Sequence, residues 1–139
     1  MYLLDTNIVS ELRRNSPQAG TWLRSVRGKA LWISIITLGE IKRGIDSLAR
    51  RDAATADSLQ HWLGLLRVEF AAHLLPITGD IALAWGKLAS IRTRGMADGL
   101  IAATAIVHNL TLVTRNVSDF ADLEVPLIDP WHPQHPTLI

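Results

Sequence analysis

The 139-residue sequence has no cysteine. Disulfides, thiolate zinc sites and cysteine nucleophiles are thereby excluded, and a cytoplasmic setting is the default expectation. Charge of one sign is also lacking. Fourteen basic residues face thirteen acidic ones, a formal net charge of +1, so any contact with nucleic acid must come from a local basic surface. Long hydrophobic runs are missing: the apolar stretches are short and interrupted by charges, so none is expected to span a membrane. Asp5 and Glu11 break the N-terminus too early for the apolar core of a cleavable signal. Several nucleotide and acyl-transfer signatures are absent as well. There is no G-x-G-x-x-G, no P-loop and no G-x-S-x-G elbow. Asp5-Thr6-Asn7 lacks the second aspartate of a DxD-type phosphatase.

What is present suits one folded domain, residues 1–139, with about 130–139 as a C-terminal tail. Hydrophobic residues make up 48% and charged residues 19%, which is enough apolar surface for a core. Met1 to Leu4 reads as a buried strand that ends at Asp5, with a helix starting at once through Ile8, Val9 and Leu12. Pro17 opens a second helix to Val26. Ala30 to Ile36, with Trp32, Ile33, Ile35 and Ile36, reads as a second buried strand, and a helix follows through Ile41, Ile45 and Leu48. Residues 52–72 have helical spacing with a break expected near Gly64. Leu74 to Ile77 is a short edge strand, and the next helix starts at Thr78-Gly79-Asp80. An alanine-rich helix over Asp98 to His108 stops at Asn109. Leu110 to Thr114 is a strand, 115–120 a turn or short helix, and Glu124 to Asp129 a last edge strand. Strands alternating with helices predict a three-layer α/β fold with a mainly parallel central sheet flanked by helices.

The acids fall at comparable places in this pattern. Asp5 follows the first strand, Glu40 follows the second, Asp98 starts a buried helix, and Asp119 follows the fourth strand. In open α/β sheets ligands bind outside the carboxyl ends of the strands, so these side chains can converge. Converging carboxylates repel, and a hard divalent cation relieves that repulsion. Carboxylate oxygens and no thiolate point to Mg²⁺ or Mn²⁺, an ion that can activate water and neutralise a phosphoryl oxygen. Each acid also has a plainer reading. Asp5 or Asp98 caps a helix, Glu40 closes a capping box with Thr37, and Asp119 caps a short helix or holds a turn. His132 and His135 have metal-like spacing but sit in a proline-rich tail, and are read as solvated. Trp62 and Trp85 belong either to the core or to a partner surface.

Four blocks in order carry a resemblance over nearly the whole chain: Leu3-Leu4-Asp5-Thr6-Asn7, residues 33–41 around Glu40, Ala97-Asp98-Gly99-Leu100-Ile101-Ala102-Ala103, and residues 112–120 from Leu112 to Phe120. The chain resembles the PIN-domain ribonucleases, and within them the VapC-type toxins of prokaryotic toxin–antitoxin pairs. The ending Asp129-Pro130-Trp131-His132 is similar to the FitB-like branch. This resemblance implies a Mg²⁺- or Mn²⁺-dependent endoribonuclease acting on RNA, inhibited by a small cognate antitoxin with a DNA-binding domain, and a homodimer. By matching positions it implies Asp5, Glu40 and Asp98 as the acids of the site, with Asp5 and Asp98 holding the metal. Thr6 and Thr114 support them by hydrogen bonds. The fourth position falls at Asn116 or, three residues on, at Asp119. Lys42, Arg43 and Arg115 are the candidates to hold flanking phosphates. Two other readings share these residues: a catalytically silent partner in a dimeric antitoxin–operator DNA repressor complex, and a metal-dependent DNA nuclease.

Overall fold

The structure is a computed structural model and describes residues 1–132. Five strands form one sheet in the order β3-β2-β1-β4-β5, every neighbouring pair parallel. They are β1 (Tyr2–Leu4), β2 (Leu31–Ser34), β3 (Leu74–Leu75), β4 (Thr111–Val113) and β5 (Leu127–Ile128). β3 and β5, both short, take the two edges, as Pro76 and Pro126 beside them favour. From β1 the chain winds outward through β2 to β3, then crosses to the other side of β1 for β4 and β5. The reversal puts a crevice at the carboxyl ends of β1 and β4, the place where open α/β sheets bind ligands.

Successive side chains of a strand point to opposite faces, and β1 shows it: Leu3 and Leu4, both 0% exposed, belong to different halves of the core. On Leu3's side lie α5 (Gly79–Ile91) and α6 (Met96–His108), with Ile81, Leu88, Ile101 and Phe120. On Leu4's side lie α1 (Thr6–Arg13), α2 (Pro17–Ser25), α3 (Ile35–Ala49) and α4 (Ala53–Glu69), with Ile8, Trp22, Ile33, Ile45 and Leu66. This is the three-layer arrangement expected, with the parallel sheet in the middle. Ala102, Ala103 and Ala105 of α6 are fully buried, and their small side chains let the helix lie close to its neighbours. Asn109 ends α6 in the left-handed conformation, φ 57°. α7 (Val117–Phe120) is one turn long.

Element ends shift by a few residues from the sequence reading, as with β3, β5 and the start of α6, and two differences have a clear physical cause. The second strand stops at Ser34 rather than running to Ile36. The Ser34 hydroxyl accepts a hydrogen bond from the Ile36 N–H at 3.0 Å, which starts α3 inside the apolar run. The long helix is also unbroken at Gly64. It runs 17 residues from Ala53 to Glu69, capped by Asp52, whose carboxylate accepts from the Thr55 N–H at 3.1 Å. Among the described residues no helix is long and apolar enough to cross a membrane. His132 is exposed and its ring stands 3.0 Å from an Asp129 oxygen; His135 lies outside the described residues.

Candidate active site

Asp5 leaves β1 and enters α1, and one residue does two jobs. Its Oδ1 accepts from the Thr6 N–H at 2.8 Å, which caps α1. Its Oδ2 accepts from the Thr114 hydroxyl at 2.8 Å, a bond across the crevice from the end of β4. The cap and site readings of Asp5 are therefore compatible. Asn7 adds a third donor, Nδ2 to Oδ2 at 3.3 Å, while its Oδ1 accepts from the Arg115 N–H at 3.3 Å. Asn7 thus joins α1 to the chain leaving β4. Asn7 stands in the first of the four sequence blocks, but its role rests on a backbone group 108 positions away and could not be read there.

Glu40 reaches the same edge from α3. Because Ser34 is the cap, Thr37 lies inside the first turn and the capping-box reading of Glu40 does not hold. Glu40 Oε1 instead accepts from the Thr6 hydroxyl at 2.5 Å, and the Thr6 and buried Thr37 hydroxyl oxygens stand 3.0 Å apart. Asp98 is half-buried in the first turn of α6, whose cap position is Gly95, so Asp98 is not the cap. Asn116 is exposed, takes the cap position of α7, and donates its N–H to Thr114 Oγ1 at 3.0 Å. Asp119 is exposed within α7.

The electrostatics link these groups. Burial raises Asp5, 3% exposed, from 3.8 to about 6; Asp98 and Glu40 push the same way, against the hydrogen bonds from Thr114 and Thr6. Asp98 is raised by burial first, then by Glu40 and Asp119, and Arg94 opposes the rise. The four acids predicted from the sequence therefore act on one another at one edge of the sheet. Three donors at Asp5 and one guanidinium near Asp98 leave both carboxyls above their ordinary range. Hard oxygen donors short of positive charge fit a divalent cation of the Mg²⁺ or Mn²⁺ kind. As they stand, no three acidic or histidine side chains among the described residues are grouped as ion ligands.

Of the basic candidates, Arg115 lies at this edge. Its guanidinium contacts Glu11 Oε1 at 3.4 Å and lies 4.0 Å from the centre of the Trp131 ring. Lys42 is engaged by Gln60 at 2.7 Å and Asp46 at 2.9 Å. It is two positions beyond Glu40, about 200° around the helix, so the structure does not bring it to the acids. Arg43 is exposed one turn from Glu40. Sequence reasoning missed Arg94. It lies in the stretch between the two predicted helices, just before α6, yet its side chain is 5% exposed. It donates to Asp122 Oδ2 at 2.8 Å and to the Asp119 carbonyl at 3.4 Å, and so ties α7 to the start of α6. Trp62 and Trp85 are half-buried against the two halves of the core.

The PIN domain family profile matches residues 2–125. Toxin FitB of Neisseria gonorrhoeae is 33% identical over 95% of this chain and 99% of its own length. VapC ribonuclease Y4jK of Sinorhizobium fredii is 30% identical over 96% of this chain and 99% of its own. Among solved structures, FitAB bound to an IR36 DNA fragment superposes with a TM-score of 0.82 at 31% identity, covering 97% of this chain and 99% of the matched one.

Proposed function

The chain belongs to the PIN-domain family, related to the VapC and FitB toxins, and from that premise we propose that it is a Mg²⁺- or Mn²⁺-dependent endoribonuclease, the toxin of a toxin–antitoxin pair. The observation that carries the reading is Asp5: a buried carboxyl at the sheet's switch point, raised to about 6 by burial and by the charges of Asp98 and Glu40. A divalent cation relieves such a group when it is ionised, and an ion held there can serve RNA hydrolysis.

In this reading Asp5 and Asp98 hold the metal, and Glu40 and Asp119 complete the acidic edge, Asp119 or Asn116 through water. When bound, the ion supplies activation of water and neutralises charge on the phosphoryl oxygens. Thr114 and Thr6 fix Asp5 so that its carboxylate keeps one direction. Thr6 also holds Glu40 Oε1, and Glu40 Oε2 takes the proton of the attacking water. Water attacks phosphorus in line with the 3′-oxygen; the P–O3′ bond breaks and the departing oxygen takes a proton from solvent, giving 5′-phosphate and 3′-hydroxyl ends. Arg115 holds a flanking phosphate, with Arg43 further out. The relative solved as FitAB on a DNA fragment supports a DNA-binding complex, and a toxin–antitoxin complex from Klebsiella pneumoniae supports an antitoxin as partner; in this reading the assembly is a homodimer bound by a small antitoxin.

The silent-partner reading is favoured by one observation, that the acids are not grouped as ion ligands as they stand. Turnover decides between the two. Antitoxin-free protein is incubated with a mixed RNA pool in Mg²⁺, Mn²⁺ or EDTA, beside Asp5→Asn and Asp98→Asn. Metal-dependent cutting lost in both folded variants is the expected result. Full activity in both would sink the assignment.

A further inference from the structure

A cleft of about 480 Å³ opens between α2 and the chain that leaves β5. Trp22, Pro130 and Trp131 give it apolar walls, and Gln18, Thr21 and Ser25 give it polar ones. The three polar residues stand at i, i+3 and i+7 of α2, one stripe along the helix. Each keeps unused hydrogen-bonding capacity. Gln18 Oε1 accepts from the Ser16 hydroxyl at 3.2 Å, which leaves its amide N–H groups to donate. Thr21 Oγ1 accepts from Arg24 at 3.2 Å and still has its own proton to give. Ser25 donates to the Trp22 carbonyl at 2.5 Å and keeps its lone pairs to accept.

The cleft is tied to the acidic edge by a short series of contacts. Asp5 binds Asn7 at 3.3 Å, Asn7 binds the Arg115 backbone at 3.3 Å, and the Arg115 guanidinium lies 4.0 Å from the Trp131 ring centre. Trp131 is itself set by its N–H, which donates to Asp129 Oδ1 at 2.9 Å. A cation therefore lies between the carboxylates and an aromatic wall with a mixed donor and acceptor rim.

We infer that this cleft is a nucleobase subsite for single-stranded RNA, an inference that rests on the ribonuclease reading above and deepens it. With one phosphate at the acids, the next meets Arg115, and its base enters the cleft against Trp131. Gln18, Thr21 and Ser25 read the base edge. Sequence-specific RNA recognition works on splayed, unpaired bases in this way, by stacking on aromatic rings and hydrogen bonding along their edges. Continuity with the acidic edge and the positive charge at the junction favour RNA over a protein segment.

The test has two arms. In EDTA, full-length protein is irradiated with a random RNA pool carrying 5-iodouridine or 5-iodocytidine, and the crosslinked peptides are mapped. Crosslinks at Trp131 or within residues 17–25 are expected, falling about tenfold in Gln18→Ala and Trp131→Phe, the size of one lost base contact. Gln18 is exposed, so that variant keeps the fold. In Mn²⁺, cleaved ends are sequenced, and Gln18→Ala is expected to flatten the base preference at one fixed position from the cut. Crosslinks confined to other peptides, or an unchanged preference in both variants, overturn the subsite and leave the cleft to a protein segment. If nothing is cut while crosslinks persist at Trp131, the nuclease reading falls and the base site stands.

Discussion

The Thr114 hydroxyl donates to Asp5 Oδ2 at 2.8 Å, joining the ends of the two strands that flank the sheet's switch point. Both residues are buried, Thr114 fully. Thr114 Oγ1 in turn accepts from the Asn116 N–H at 3.0 Å, so one hydroxyl holds both the central carboxylate and the start of α7. Thr114→Val keeps the shape and removes the oxygen. It leaves a buried carboxylate and an amide each short of a partner, and is expected to cost about 1–3 kcal/mol. Thr114→Ser is expected to restore most of that. Urea unfolding of the three proteins measures it, and equal midpoints for Val and Thr would contradict the role.

Asp5 also makes stability depend on pH. Its folded value, about 6, lies above the ordinary 3.8, because burial disfavours the charged form. The folded state therefore holds the proton more firmly than the unfolded chain. The contribution is fully present below about pH 4 and is lost as pH rises through 6, roughly 3 kcal/mol by neutrality in metal-free protein. Thermal unfolding in EDTA across this range is expected to show that loss in the wild type and not in Asp5→Asn. A parallel pH profile in the two proteins would show that Asp5 carries no such burden.

Gly99 follows Asp98 and faces Trp85. A Cβ there would stand 2.9 Å from Trp85 Cδ1, closer than such atoms pack, and a tight 3.1 Å from Nε1. The helix propensity gained by Gly99→Ala, under about 1 kcal/mol, is smaller than the overpacking it causes, about 1–3 kcal/mol. The expected outcome is a lower thermal midpoint together with weaker cleavage, because the indole or the first turn carrying Asp98 must shift. A raised midpoint would mean that Trp85 yields freely.

Much of this was legible in the sequence. Alternating apolar runs and helical spacing specified the parallel sheet and its edge strands, since burial on both faces demands such runs. Asp5, Glu40, Asp98 and Asp119 could be picked out because each follows a strand or opens a helix. The start of α3 was hidden because Ser34 sits within an apolar run, where a single hydroxyl is easily read as a strand residue. Asn7 and Arg94 were hidden for a different reason. Their partners, the Arg115 backbone and Asp122, are distant in sequence, and only the folded sheet brings them close. Lys42 near Glu40 misled for the converse reason: two positions along a helix is nearly the opposite face.

Mn²⁺ binding to antitoxin-free protein at about pH 7.5, followed by calorimetry, decides whether these acids hold a cation. The expected result is saturable binding to the wild type, weakened at least about tenfold in Asp5→Asn and in Asp98→Asn. Unchanged binding in both variants, or no binding to the wild type, would contradict a cation site there.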